Sequence, residues 1–591
     1  MKKNIIALIS LLAFSLTLTP TGLRAAAFDK KKAGTILVAP PAPKFTDAER
    51  HGELARRRAE AAKKMAANSL LIMRSAEPRN YAGDVDFYYR QENNLYYLTN
   101  LRQNGATLVM AKNGESVEEY LFLPKRSPQS EIVNGRMYSR EDAARISGVK
   151  TIIDAGEAQA FLDALKEKKA FTSKESVSIS NNAANVYLLL PKGEGDGNGK
   201  AEFGREAEFA KSLAAGYKVE NARPIFDELR MVKSPYELRL MQHAIDITTE
   251  AHMRSMATVG KAKWEYEVQA EVEYTFRRRN ADYWGYPSIV GCGPNATTLH
   301  YVESQGEINK NDLLLMDVGA EYDHYTADVT RTFPVDGKFS KEQAEIYQIV
   351  YDAQEAAARV AKPGVIFGVP SRAAADVIKN GLARLGLITA PDAKYQVIFK
   401  GQPVEIPQYT IWYMHGLGHW LGMNVHDVGS YQTPLKPGMI FTNEPGIYVR
   451  EDALDYLADT PANKEFAAKV RPVFERYKNI GVRIEDDMLV TETGVEWMTK
   501  NLPRSLADVE AFMARAPRQM SYSPRREAEV GSPTPATFDY AAATAIAENQ
   551  FGLLGNFGFP PSGKTVRRGW IRAGKETTRS GLNHAAHTHG E

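Results

Sequence analysis

The chain has 591 residues, a formal net charge of +2 and a single cysteine, Cys292. That length leaves room for several domains, and a lone cysteine excludes an internal disulfide framework. The near-neutral charge carries no nucleic-acid footprint.

Residues 1–27 open with Lys2 and Lys3, continue with an apolar run from Ile5 to Leu18 and end in Ala25-Ala26-Ala27. This is the pattern of a secretory signal peptide, and the run is short for a membrane span. No cysteine stands near the cleavage region to take a lipid. An exported protein, periplasmic or secreted, is therefore expected, with no stable membrane insertion after cleavage. Removing Lys2, Lys3 and Arg24 leaves a mature chain near −1.

Residues 45–73, rich in Ala, Arg, Lys and Glu at helical spacing, predict an exposed helix. Residues 96–99, 107–111 and 120–123 then read as short strands, and residues 158–168 as a helix. Together they predict an amino-terminal α/β domain over residues 45–231. Within it, residues 191–204 are glycine-rich and charged, as in a flexible loop. Ser234-Pro235-Tyr236-Glu237 has the capping-box spacing with proline at the first helical position, and opens a helical pattern through Met256. From 232 to 500 helices alternate with apolar strands, which suits an α+β domain. After about 515 the composition turns to Pro, Gly, Ser, Thr and Arg, so 515–591 predicts a disordered tail whose His584, His587 and His589 are solvated.

The chemistry concentrates in the second domain. Residues 313–333, LLLMDVGAEYDHYTADVTRTF, read as a hairpin with an aspartate inside each strand. A turn at Tyr322-Asp323 makes Asp317 face Asp328, and bare carboxylates that close repel unless a cation lies between them. YMHGLGHWLGMNVHDVG places His415, His419 and His426 among four glycines, which argue for an irregular loop approached closely by other backbone. Glu444 ends an apolar strand before Pro445, and in GVRIEDDMLV Arg483 and Glu485 share one side of the alternation. Each segment alone has a plain alternative: a turn aspartate, a core histidine, a solvated strand end or a surface ion pair. As a set, carboxylates with one histidine are hard ligands suited to Mn²⁺, Co²⁺ or Zn²⁺ pairs. Two such ions lower the pKa of a bridging water enough to yield a hydroxide that attacks a carbonyl at neutral pH. A serine or cysteine nucleophile is disfavoured, since no G-x-S-x-G elbow accompanies the histidines.

The ordered series LHY with His300, DVG with Asp317, ADVTRTF with Asp328, HGLGHWLG with His419, NEPG with Glu444 and VRIEDD with Glu485 resembles the Xaa-Pro aminopeptidases and prolidases. YYRQENNLYYLTNL at 88–101 and DELRMVKSPYELRLM at 227–241 are similar to the same family, and the likeness spans about 45–500. The resemblance implies a pita-bread catalytic domain behind a smaller creatinase-like α/β domain. It implies that Asp317, Asp328, His419, Glu444 and Glu485 ligate two divalent ions, most readily Mn²⁺, with Asp328 and Glu485 bridging. Glu444 would double as general base, and His300, His415, His426 and Arg483 would surround the ions, with His300 and His426 holding the substrate.

The expected activity is hydrolysis of the first residue from peptides with proline second, by a dimetal-bridged hydroxide, with a homo-oligomer left open. The forty residues between Glu444 and Glu485 lean toward prolidases, so an Xaa-Pro dipeptidase is the alternative. The alternative from another class is a metal-free pita-bread domain that binds peptides.

Overall fold

The computed structural model describes residues 34–191, 203–213 and 216–516. The expected signal peptide, nearly all of the glycine-rich loop and the tail after residue 516 lie outside them. Among the described residues no helix is long and apolar enough to cross a membrane.

The amino-terminal half is built on a six-stranded mixed sheet. Its strand order is Lys218–Asn221, Asn185–Leu188, Ser69–Arg74, Thr107–Asn113, Ser116–Leu123, Thr151–Asp154. The expected helix spans Asp47–Lys64, capped by Thr46 and Glu49 in a reciprocal box. Its outer face is exposed as expected, while the other face buries Leu54 and Ala61, and even Arg57 and Arg58. Arg58 donates to the carbonyls of Leu98 and Ser147, which supply the partners that make its burial tolerable. Residues 96–99, expected as a strand, are helical within Asn93–Thr99, because the Glu92 side chain caps the backbone N–H groups of Asn94 and Leu95.

The carboxy-terminal half repeats one theme twice, with strands inside and helices outside. Helices Pro235–Thr258 and Glu265–Arg278 cover the sheet Ile289–Cys292, Leu313–Val318, Val329–Pro334. Lys341–Val360, Gly368–Leu385 and Pro461–Tyr477 cover the sheet Ile440–Asn443, Asp486–Val490, Val495–Trp497 and its neighbouring pair Gly446–Val449 and Ile480–Arg483. Alternation decides what faces where. On Leu313–Val318, Leu314, Met316 and Val318 pack on the helices, so Leu315 and Asp317 point the other way. The expected Ser234 capping box is formed at the head of Pro235–Thr258. Beyond residue 500 the helix Leu506–Arg515 continues the packing with Val509, Phe512 and Met513.

The aspartate hairpin differs in register from the expectation. Asp317 pairs with Thr330 rather than Asp328, and Tyr322 pairs with Tyr325 across a turn of Asp323 and His324. Both turn residues have positive φ, 52° and 68°, as a type I′ turn requires. Asp and His tolerate that conformation far better than a bulky tyrosine, so the turn shifts by one position along the chain. A slip of two in pairing preserves the face, and Asp328 still projects on the same side as Asp317.

The two halves of the catalytic domain are bonded across the middle. The Glu485 N–H donates to the Thr330 carbonyl, and the wholly buried Arg331 donates to the Glu485 carbonyl (2.7 Å) and the Asp486 carboxylate (2.6 Å).

Candidate active site

A hairpin from the first half and an antiparallel strand pair from the second supply the buried acids. Asp317 stands near the end of Leu313–Val318, and Asp328 in the break just before Val329–Pro334. The Tyr286 hydroxyl lies 2.5 Å from Asp317 Oδ1 and 2.6 Å from Asp328 Oδ1, and so joins the two carboxylates. From the other half, Glu444 follows Ile440–Asn443 and Glu485 precedes Asp486–Val490. The Thr330 hydroxyl donates to Glu485 Oε2 at 2.6 Å.

His419 links the halves. Its Nε2 lies 3.2 Å from Asp328 Oδ2 and 3.3 Å from Glu444 Oε1. Its loop has no regular secondary structure and is held against Ile440–Asn443: the His419 N–H donates to Thr442 Oγ1, and the Glu444 N–H to the Leu417 carbonyl. The contact requires the glycine before it, because a Cβ on Gly418 would overlap the Thr442 carbonyl oxygen. Gly418→Ala should therefore push His419 away from Asp328 and destabilise the fold by about 1–3 kcal/mol. Urea denaturation and peptidase assays check this; unchanged values in both would mean the loop yields at no cost.

Arg483 backs the acids with its cation. Its guanidinium donates to Asp317 Oδ2 (2.5 Å), Thr330 Oγ1 (3.1 Å) and the Tyr448 hydroxyl (2.9 Å). Tyr448 in turn meets His415 Nε2 at 2.8 Å. Burial, with Arg483 nearby, pushes His415 down to about 3, so the ring is neutral. His426 is exposed, its ring edge-on to that of His419 at 4.3 Å. His300 is also exposed, and is close enough for its charge to help depress His415.

The electrostatics are those of too many acids for the cations present. Burial raises Asp328, with the Asp317 charge adding to the effect. Burial and the charges of Asp328, Glu444 and Asp317 raise Glu485 well above the carboxylate range, and burial lifts Glu444 to about 7. Burial opposes a charge on His419, yet the hydrogen bond to Asp328 and the Glu444 carboxylate lift it to about 9. Donor atoms of Asp328, His419 and Glu485 all lie within 4.8 Å of one another, a spacing that fits a shared cation. A hard, oxygen-rich donor set with surplus negative charge matches a divalent ion.

The nine sequence candidates thus fall in one neighbourhood. Tyr286, Thr330, Thr442 and Tyr448 were not foreseen. Tyr448 carried a faint signal, an aromatic facing inward on the strand that follows Glu444. Tyr286 carried none.

Residues 239–492 match the profile of metallopeptidase family M24, and residues 54–172 that of the aminopeptidase P amino-terminal domain. The Xaa-Pro aminopeptidase of Haemophilus influenzae is 34% identical over 468 residues, covering 78% of this chain and 97% of the relative. The chain belongs to metallopeptidase family M24. The Escherichia coli Xaa-Pro aminopeptidase is 31% identical to this M24 metallopeptidase over 475 residues, covering 79% of it and 98% of the relative. Its fold matches that of zinc-substituted E. coli aminopeptidase P in complex with product, with TM-score 0.65, 29% identity, and coverage of 81% of this chain and 100% of the other. E. coli aminopeptidase P with the inhibitor Pro-Leu gives TM-score 0.65 at 29% identity, covering 80% and 99%. The pita-bread catalytic domain behind an α/β amino-terminal domain, expected from the motifs, is the architecture of this M24 metallopeptidase.

Proposed function

We propose that this metallopeptidase is an exported Xaa-Pro aminopeptidase, which removes the first residue from peptides with proline second. Asp317, Asp328, His419, Glu444 and Glu485 would hold two divalent ions, manganese by preference. The observation that carries the reading is the charge of the donor cluster. Four carboxylates converge, of which the Arg483 guanidinium bonds Asp317 alone, and the burial and mutual repulsion that raise Asp328, Glu444 and Glu485 are relieved by divalent ions between them. The names of the similar proteins and the filled donor set argue against a metal-free binding domain. Export rests on the residue pattern of 1–27 alone.

When bound, the ions supply a strongly acidified water and an electrophile for the scissile carbonyl. The protein's own part is to orient and to move protons. Glu444 stands beside His419 at the end of its strand and serves as general base. His426 and His300, exposed at the rim of the cluster, hold the substrate and donate to the oxygen that gains charge. Arg483 and Tyr286 fix the two aspartates, and Tyr448 fixes His415.

Activity on longer peptides is supported by the insertion after Glu444. A dipeptidase needs a cation free to take the terminal carboxylate of proline. Of the insertion's cations Arg450, Lys464, Lys469 and Arg471, three pair with its own aspartates, Arg450 with Asp452 (2.8 Å), Lys464 with Asp459 (2.5 Å) and Arg471 with Asp455 (3.5 Å), which leaves Lys469 as the one candidate of the four for that role. Chelation is expected to abolish hydrolysis and Mn²⁺ or Co²⁺ to restore it. A longer Xaa-Pro peptide should exceed the Xaa-Pro dipeptide in kcat/KM, with an alanine control near background. Cleavage of the dipeptide alone would transfer the chain to the prolidases, and a purified protein without stoichiometric metal would leave only the binding domain.

A further inference from the structure

The two amino-terminal motifs, at 88–101 and 227–241, contribute nothing to the donor set, yet both end on the chain around it. Arg90 reaches two catalytic segments at once. Its Nε donates to both carboxylate oxygens of Glu321 (3.0 and 2.8 Å), on Ala320–Tyr322 at the outer end of the aspartate hairpin. Its Nη2 donates to the Met423 carbonyl at 2.7 Å, in the loop between His419 and His426. Its Nη1 donates to Asn93 Oδ1 (2.7 Å), and Asn93 Nδ2 donates to Asn424 Oδ1 (2.6 Å) in the same loop. Arg230, from the second motif, donates to Asn94 Oδ1 (2.8 Å) and to the buried Asp427 carboxylate (2.6 Å). His426 is thus bracketed by Asn424 and Asp427, both held by side chains that precede the catalytic domain. The loop has no regular secondary structure, and its backbone reaches the hairpin through the Thr326 N–H to the Gly422 carbonyl.

We propose that Arg90 and Asn93 are positioning residues, which lock the 421–427 loop, and with it the His426 imidazole, to the hairpin that carries Asp317 and Asp328. The amino-terminal domain then acts in catalysis as a jig, since small displacements of a group that must meet developing charge forfeit much of its effect. The inference rests on the role given above to His426.

The test is a double-mutant cycle on the metal-loaded full chain. Asn93→Leu removes the bond to Asn424 together with the acceptor of Arg90 Nη1, and leaves Arg90 on Glu321 and the Met423 carbonyl. It should lower kcat about tenfold with KM changed less than about twofold. In a His426→Ala background the same substitution should cost less than about twofold, because a positioning residue has nothing left to position. Hydrogen exchange of amides 421–427 should quicken in Asn93→Leu, and Asn424→Ala, at an exposed site, should reproduce both effects if Asn93→Leu folds poorly. An equal tenfold loss in the His426→Ala background, or unchanged loop exchange in both variants, overturns the proposal. Wild-type turnover by His426→Ala alone would overturn the role of His426 and this proposal with it, and that single variant tells the two failures apart.

Discussion

Asp328→Ala is expected to lower kcat/KM by about 10³-fold or more, equivalent to roughly 4 kcal/mol of transition-state stabilisation, with loss of bound metal. Asp328 touches three parts of the site: Tyr286 through Oδ1, His419 through Oδ2, and Asp487 through its backbone N–H. Its removal leaves Glu444 as the carboxylate beside His419 Nε2 and deprives any cation held there of an oxygen donor. Elemental analysis beside the kinetic assay checks the result. Full activity with metal content unchanged would sink the assignment of the site.

The second large effect separates the two neighbouring histidines. His419→Ala should lose one metal per chain, because the ring stands inside the donor cluster within 3.3 Å of two carboxylates. His426→Ala should keep its metal and lose about 10²- to 10³-fold in kcat, the range for a missing donor to developing charge. His426 lies outside the cluster, exposed and edge-on to His419. Stoichiometric metal loss in His426→Ala would contradict this division.

The acids and histidine that the structure gathers were legible in the sequence where they break a local rule. Asp317 and Asp328 interrupt apolar strands, and His419 sits among glycines that only close backbone approach explains. The supporting shell was not legible, since Thr330, Tyr448 and Tyr286 are residues that apolar strands and their ends accept without comment. Register was misjudged for a related reason. Turn position rests on which residues bear positive φ, and Asp323-His324 is a less familiar pair than Asn-Gly. Residues 96–99 read as a strand because Tyr, Leu and Thr favour strands, while the cap that decides for a helix lies upstream at Glu92.

The bonds that cross between the aspartate hairpin and the strands flanking Glu485 have a consequence for how the protein matures. Asp317 and Glu485 stand 168 positions apart in the chain, so no fragment that lacks either end of that span carries a complete donor set. Such long-range closure is slow and comes late in folding. Metal then binds the native state and hardly at all the unfolded one, and free metal at about a hundred times Kd adds roughly 2.7 kcal/mol to stability. For a chain without a disulfide framework, that makes metal supply where folding finishes part of the protein's thermodynamic stability as well as of its chemistry.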